Sequence, residues 1–422
     1  MEVYGKILSI ILPIYIALFL IELYFERKMN AKVINGMDSI SSMSSGLVNG
    51  VKDVLGLSVS IITYSWLYSK IAITHVPDKW WVFVLAFLAL EFQGYVVHFL
   101  NHKVNFFWNR HVIHHSSEEY NLSCAWRQPI STFFNYFTIL LIPAALIGIS
   151  PTVIAIVVPV EFLLQYWYHT RLIGKMGFLE KILMTPSHHR VHHAVNKEYM
   201  DKNMGHIFII WDKLFGTFQE ELTDVPPVYG ISRPARTWNP VKINFQHFFL
   251  LLKDAYYTKN WFDKIRIWIM PTGWRPADLI EARPVYQIDN VYTYEKYNTK
   301  PSRHLLWWSW CQLAANYFLM YYFLLYIGQI GSPEIFYYGV FLLISVFAYT
   351  ELMDKNPKAL YLEVLKSALG FFLIYSMGDW FGASQYVPFY TYFALAYFIL
   401  SPLAVSWFSL NEFKNEKSLE LI

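Results

Sequence analysis

The segment WWVFVLAFLALEFQGYVVHFLNH, residues 80–102, joins a long apolar run to two histidines. A bilayer core about 30 Å thick needs about 20 apolar residues in one helix, so this run is long enough to cross it. His98 and His102 stand four residues apart, about one helical turn, and therefore project from one face at the end of the helix. The segment predicts a membrane helix that presents imidazole groups at one surface of the bilayer.

The rest of the chain repeats this apolar pattern. Of its 422 residues, 55% are hydrophobic and only 15% are charged, a mixture that favours a membrane protein over a soluble one. About nine windows are long and apolar enough to cross or enter a bilayer. They are residues 6–24, 54–72, 80–100, 130–149, 152–170, 304–327, 334–352, 359–377 and 386–408. Pro143 and Pro159 interrupt the fourth and fifth windows, which could instead form a hairpin that dips into the membrane.

These windows predict an all-α fold, a polytopic membrane helix bundle of about seven to nine membrane helices with a cytoplasmic histidine-rich cap. We divide the chain into N-terminal membrane helices (1–79), a central segment of membrane helices plus cap (80–302) and C-terminal membrane helices (303–422). Short cytoplasmic loops are enriched in lysine and arginine, and one orientation places nearly all basic loops inside, together with the tail residues Lys414 and Lys417. We therefore expect an integral, multi-pass protein of a bacterial inner membrane or the endoplasmic reticulum, with the cap in the cytosol.

Charge and cysteine usage exclude other classes of protein. The net charge is only +3 and the basic residues are spread through the loops, so the sequence predicts no nucleic-acid partner. Cys124 and Cys311 lie far apart, which argues against a disulfide framework and against a thiolate metal site. Any metal must rely on nitrogen and oxygen ligands.

Histidines are concentrated in the central segment. Eleven of the 14 lie between His98 and His206, and the spacing H-x-x-H-H occurs at 111–115 and again at 189–193. Neutral imidazole is a good ligand for iron, zinc and copper, and eight or nine such ligands exceed what one four- to six-coordinate ion can use. The cap is therefore predicted to hold a di-metal centre.

Two carboxylates lie inside the apolar windows. Glu91 precedes His98 by seven residues and shares its face, so we expect it to accept the second ring N–H of a ligand histidine and treat it as a candidate catalytic residue. Glu161 precedes His169 by eight residues and has a similar position. Carboxylates within membrane helices are costly and usually functional. The alternative is that each of them faces a polar gap between helices.

The histidine motifs sit in recognisable surroundings. The stretches are His111-Val-Ile-His-His-Ser-Ser-Glu, Gln165-Tyr-Trp-Tyr-His-Thr170 and Thr185-Pro-Ser-His-His-Arg-Val-His-His193. They resemble the fatty acid hydroxylase, or sterol desaturase, superfamily, and within it the alkylglycerol monooxygenase family. The resemblance implies that 80–302 is a catalytic domain of this type with a di-iron centre, two iron ions per chain. The implied ligands are His98, His102, His111, His114, His115, His169, His189, His192 and His193.

The resemblance also implies a reaction. An O2-dependent monooxygenase of this family hydroxylates the carbon next to the ether oxygen of an alkylglycerol, giving fatty aldehyde and a glycerol derivative. Alternatives within the enzyme class are a hydroxylase or desaturase of a fatty acyl, sterol or carotenoid substrate that is served by an electron-transfer partner. A metal transporter or a haem carrier would be a non-enzymatic alternative, but transport favours ligands at mid-membrane, and haem does not explain repeated adjacent histidines.

Two positions, Lys103 and His206, depart from the family pattern. Lys103 follows His102 where the animal enzymes carry a glutamate linked to tetrahydrobiopterin, so the electron donor is tetrahydrobiopterin or another reductant. His188 falls outside the H-x-x-H-H register, and we expect it beside a ligand instead of on the metal. His206 replaces a residue that is not histidine in the family, and we expect it to be a surface residue, with an added metal ligand as the alternative.

Overall fold

Long helices dominate the computed structural model, which describes residues 2–413, so Lys414 and Lys417 lie outside the described residues. The first elements, in chain order, are α1 (Glu2–Met29), α2 (Gly36–Val54), β1 (Val59–Ser60), α3 (Tyr64–Ile71), α4 (Trp80–Lys103), α5 (Asn105–Trp108), α6 (Val112–His115), β2 (Phe134–Asn135), α7 (Ile142–Leu146) and α8 (Pro151–Leu164). Short 3-10 helices lie at Leu122–Trp126 and Phe137–Leu141. These elements position most of the histidine-bearing segments.

The second half of the chain contains small cap helices followed by four long helices. The cap helices are α9 (Pro186–His192), α10 (Ile210–Phe215), α11 (Pro240–Tyr257), α12 (Trp261–Arg266) and α13 (Ala277–Ile280), with a 3-10 helix at Gly177–Lys181. The long helices are α14 (Arg303–Ile330), α15 (Glu334–Met353), α16 (Ala359–Met377) and α17 (Tyr390–Asn411), with a 3-10 helix at Ala383–Gln385. The all-α prediction is confirmed, since the two strands form only a two-residue parallel pairing.

The predicted number of membrane helices is too high. Within residues 2–413, six helices are long and apolar enough to span a bilayer: α1, α4, α14, α15, α16 and α17. The window 54–72 divides into the end of α2, strand β1 and the eight-residue helix α3. The window 152–170 yields α8, whose 14 residues rise about 21 Å at about 1.5 Å per residue, less than a bilayer core. The protein is a multi-pass membrane protein with fewer complete spans than the windows indicated.

The broken elements form a shallow layer beside α4, at the end away from His102. Thr74 donates a hydrogen bond to the carbonyl of Ile147 (2.8 Å), and Ser150 donates to Asp78 (2.9 Å). Gly148 allows this close approach, because a Cβ there would lie 2.0 Å from the Thr74 carbonyl oxygen. Its φ of +82° is a conformation that glycine adopts most easily. The 130–170 region therefore contains short apolar helices, Phe137–Leu146 and Pro151–Leu164, that pack beside α3 and α4 instead of two complete spans.

Helix α2 was absent from the predicted windows. It contains five serines, which lower its hydropathy, yet most of its residues are buried against α14 and α15. Asn35 begins the helix by accepting hydrogen bonds from the amides of Met37 and Asp38. The apolar residues of α1, α2 and α14–α17 share one core, which carries the cap at one end. The division of the chain at residues 79 and 302 stays a prediction.

Candidate metal centre

All nine histidines proposed as ligands meet where α4 ends against the cap. They form two groups, and in each group one ring nitrogen from every member lies within 4.8 Å of the others. The first group, the five-histidine group, is His98, His102, His111, His115 and His192. The second, the four-histidine group, is His114, His169, His189 and His193. Each group offers enough imidazoles for one metal ion, so the geometry fits two.

The H-x-x-H-H motif explains how two groups arise side by side. His114 and His115 are consecutive in α6 and their rings lie 87° apart in plane, so that one enters each group. His192 and His193 at the end of α9 divide in the same way, also with an interplanar angle of 87°. His115 stacks on His193 with ring centroids 4.4 Å apart. The adjacent histidine pairs therefore connect the two groups.

Backbone carbonyls orient the rings of both groups. The Nδ1 atom of His98 faces the Met204 carbonyl (2.8 Å), that of His192 the Lys202 carbonyl (2.9 Å), and that of His114 the Arg127 carbonyl (3.3 Å). A carbonyl oxygen only accepts hydrogen bonds, so each Nδ1 must carry the proton, which leaves a lone pair on Nε2 in the neutral ring. This fixed tautomer is the arrangement that metal-binding histidines use.

Several inward-facing nitrogens of the five-histidine group have no hydrogen-bond partner among the described residues. Nε2 of His102, His115 and His192 is buried without a hydrogen-bond partner in the described part of the chain. Nε2 of His98 lies 2.7 Å from Nε2 of His111, a contact that places the His98 lone pair directly against another ring nitrogen. Buried polar atoms are normally satisfied. A metal ion in the five-histidine group would satisfy these nitrogens. In the four-histidine group, Nδ1 of His114 and of His169 both face carbonyls, and their Nε2 atoms approach each other at 3.4 Å, an arrangement that a shared metal ion would also satisfy.

Electrostatics keep the cap histidines neutral. Burial lowers the pKa of His114 to about 4. Burial, followed by the charge of neighbouring imidazoles, lowers the pKa well below its usual range for His111, His115, His169, His189, His192 and His193. Metal ions bind the neutral form of imidazole. The apoprotein therefore holds these side chains in the binding-competent state at physiological pH.

Lys103 takes part in this support through Asp201. Asp201 lies 2.6 Å from the Lys103 ammonium and 3.3 Å from Nδ1 of His102. Burial alone would raise the pKa of Asp201. Hydrogen bonds from His102 and Lys103 outweigh this effect and lower that pKa to about 2. Lys103 thus keeps the Asp201 carboxylate charged, and this carboxylate orients His102 of the five-histidine group.

Replacing Asp201 by asparagine tests this role. The Asp201→Asn variant keeps the side-chain size but removes the charge that orients His102, and loss of such a partner typically weakens metal binding by about 10- to 100-fold. Competition with a chelator would measure the metal affinity of the purified protein. Asp224→Asn changes an exposed carboxylate and should leave the affinity unchanged. Equal affinities for Asp201→Asn and wild type would contradict the role.

Glu91 does not occupy the position expected from its helical face. Its Oε2 atom accepts hydrogen bonds from the amides of Ile207 (3.1 Å) and Phe208 (3.0 Å), whereas Nδ1 of His98 faces the Met204 carbonyl. The expectation that Glu91 accepts a ligand's second N–H was wrong because the 203–208 loop packs between them. Glu91 fixes this loop, and Asp212 fixes its other end by accepting from the amides of Met204 and Gly205.

His188 and His206 lie outside both groups. Nδ1 of His188 faces the Leu183 carbonyl (3.2 Å), and its ring packs on Phe218. His206 is not the surface residue that we expected, because its side chain is only 23% exposed and its Nδ1 atom lies 2.8 Å from Glu161. Glu161 likewise faces His206 instead of His169. Sequence reasoning also missed Asp201 and Asp212, which no short spacing links to the histidines.

A cavity of about 600 Å³ reaches the two histidine groups. His98 and His111 of the five-histidine group and His114, His169 and His189 of the four-histidine group contribute to its wall. Apolar residues of α1, including Ile7, Leu8 and Ile11, form another part. These histidine side chains therefore face a space bounded by a membrane helix, a suitable place for an apolar ligand.

Comparisons with known proteins agree with this site. The fatty acid hydroxylase family model matches residues 83–217, which contain the nine histidines. The chain is 32% identical to the alkylglycerol monooxygenase of Homo sapiens over 372 residues, 87% of this chain and 82% of the relative. It is 32% identical to that of Xenopus tropicalis (80% and 75% of the two chains) and 31% identical to that of Danio rerio (85% and 80%). No solved structure matches. Because these relatives are covered over most of their length, the chain belongs to the alkylglycerol monooxygenase family.

Proposed function

We propose that the protein is a membrane di-iron monooxygenase that uses O2 to hydroxylate the carbon next to the ether oxygen of an alkylglycerol. One oxygen atom enters the C–H bond, the other leaves as water, and a donor supplies the electrons and protons. The resulting hemiacetal falls apart to fatty aldehyde and a glycerol derivative. The observation that carries the proposal is the cavity that joins both histidine groups to the apolar side chains of α1.

The cavity suits a molecule with an apolar tail and a polar head. Its lining includes Asn101, Arg110 and Thr132. Buried atoms of all three, Asn101 Oδ1, Arg110 Nε and Nη1, and Thr132 Oγ1, have no hydrogen-bond partner among the described residues. Since buried polar groups are normally paired, the hydroxyl groups of a glycerol head are suitable partners. An alkyl tail beside Ile7 and Ile11 would leave the ether carbon near the histidines.

In this proposal, the residues of the chain hold the metal, orient the histidine rings and exclude water. When bound, iron would supply the activation of O2 that an unactivated C–H bond requires. The carbonyl contacts of His98, His114 and His192 fix their rings, and burial of eight of the nine histidines limits access of solvent to the centre. Lys103 and Asp201 hold His102 in place from the outside of the cap.

A direct assay tests the activity. Iron-loaded protein, O2 and an alkylglycerol are incubated with and without a tetrahydropterin, and fatty aldehyde is measured. We expect aldehyde only in the presence of O2 and a reductant. Because Lys103 stands where the animal enzymes carry the pterin-linked glutamate, a ferredoxin or cytochrome system forms a second reductant arm. Absence of aldehyde with every donor, while a fatty acid, sterol or carotenoid is oxidised, would contradict ether cleavage and favour a different lipid substrate.

The location of the centre is part of the same proposal. Basic loops beside the cap favour its exposure to the cytosol, at a bacterial inner membrane or the endoplasmic reticulum. Cysteine labelling of intact vesicles would test this orientation: a cysteine introduced at exposed Asp224 should react only with reagents on the cytosolic side.

A further inference from the structure

Glu91, Glu161 and His206 form a third cluster beside the two histidine groups. One potential ligand atom of each lies within 4.8 Å of the other two. They come from α4, from α8 and from the loop before α10. Glu91 is fully buried and Glu161 is 7% exposed. The fold thus concentrates two carboxylates and an imidazole in a site that solvent barely reaches.

The charge of this cluster is not balanced by basic side chains. Among residues 2–413, no lysine or arginine forms an ion pair with Glu91 or Glu161. His206 contacts Glu161 at 2.8 Å, but even a protonated imidazole would neutralise only one of two ionised carboxylates. Buried charge without a partner is costly. A bound cation would complete the neutralisation.

Two further observations indicate a built site. Glu91 uses only Oε2 to hold the amides of Ile207 and Phe208, while its Oε1 is buried without a hydrogen-bond partner in the described structure. Gly94, one turn after Glu91 on α4, makes room for the imidazole, because a Cβ there would lie 2.3 Å from Nδ1 of His206. The absence of a side chain at Gly94 leaves room for His206 as a third ligand. The Oε1 atom of Glu91 that is unpaired in the described structure is available to a metal ion.

We propose that Glu91, Glu161 and His206 bind a divalent cation of the first transition row, in addition to the metals of the two histidine groups. Two carboxylate oxygens and one imidazole nitrogen suit Mn²⁺, Fe²⁺ or Zn²⁺ and do not suit soft ions such as Cu⁺. The ion anchors the 203–208 loop, whose Met204 carbonyl orients His98. His98 and His206 are neighbours, with ring centroids 5.8 Å apart. The site is thus an outer support of the metal centre.

Metal counting tests the proposal. Full-length apoprotein in detergent is dialysed to equilibrium against rising Zn²⁺, with glycine as a weak chelator that suppresses binding to exposed side chains. We expect wild type to bind about three ions per chain, and Glu161→Gln and His206→Gln about two. His247→Gln, which alters a buried histidine bonded to the Asn105 carbonyl, should still bind the wild-type number. Equal counts for wild type and both cluster variants would overturn the proposal.

The number of ions bound by wild type decides the test even if the variants misfold. If both variants unfold and lose every ion, a wild-type plateau of about three supports a third site, and a plateau of about two overturns it, because each histidine group fits one ion. The outcome is also separable from the proposed function. Should the histidine groups bind no metal, a loss of about one ion in Glu161→Gln would still support this site.

Discussion

Replacing His115 by alanine is expected to abolish lipid oxidation and to weaken iron binding. His115 is 4% exposed, its Nε2 atom has no protein partner among the described residues, and its ring stacks on His193 of the four-histidine group. Its loss removes a ligand from one group and a contact from the other. Since loss of a residue that only orients a ligand already costs about 10- to 100-fold, loss of a ligand should cost more than about 100-fold in activity. Iron content and aldehyde formation are the measurements.

His188→Gln is the matched control for this variant. His188 is equally buried, at 1% exposure, and adjoins His189, but it belongs to neither histidine group. Its ring faces the Leu183 carbonyl, which a glutamine amide can also satisfy. We expect the control to keep its iron. If His115→Ala retained full iron and full activity, His115 would not be a ligand, and the assignment of the five-histidine group would fail.

Arg127→Met is expected to produce a large loss of stability. Arg127 and Asp38 are 2% and 4% exposed, and Nη2 lies 2.7 Å from Oδ1 of the aspartate. The guanidinium also donates to Ser42 and Ser116, and the Arg127 carbonyl faces Nδ1 of His114. Removing one partner of a buried ion pair leaves an uncompensated charge and costs about 3–5 kcal/mol. Chemical unfolding of the purified protein in detergent measures this change.

A second variant identifies the cause. Adding Asp38→Asn to Arg127→Met removes the stranded charge and should recover part of the lost free energy of unfolding. Lys6→Met, which breaks the exposed pair with Glu2, should leave unfolding unchanged. An Arg127→Met protein as stable as wild type would show that the pair contributes nothing to stability.

The nine histidines could be proposed from sequence because their information is local. A spacing of four residues in a helix fixes a shared face, and the repeated H-x-x-H-H motif, read with the family resemblance, named the side chains that the structure brings together. The sequence could not show how they divide between two groups. That division depends on α6 and α9 facing each other, a contact between segments more than 70 residues apart.

The incorrect expectations have a common physical origin. Glu91 does share a helical face with His98, but a face specifies a direction and not the loop that packs there. Helix α2 was missed because its serines lower its hydropathy, although hydroxyls such as that of Ser44, which donates to the Ile40 carbonyl, satisfy themselves locally. The window 54–72 was apolar enough for a span, yet strand pairing at Val59 interrupts it. Tertiary contacts decided each case.

Mössbauer spectroscopy of the full-length protein loaded with enriched iron tests the central claim, two adjacent iron ions held by the two histidine groups. Because His114 with His115, and His192 with His193, place one ring in each group, ions in the two groups would be neighbours in the cap. We expect a spin-coupled iron pair as the major component of the oxidised protein, and its loss in His115→Ala. A spectrum with only isolated, mononuclear iron, unchanged in that variant, would contradict the two-iron centre.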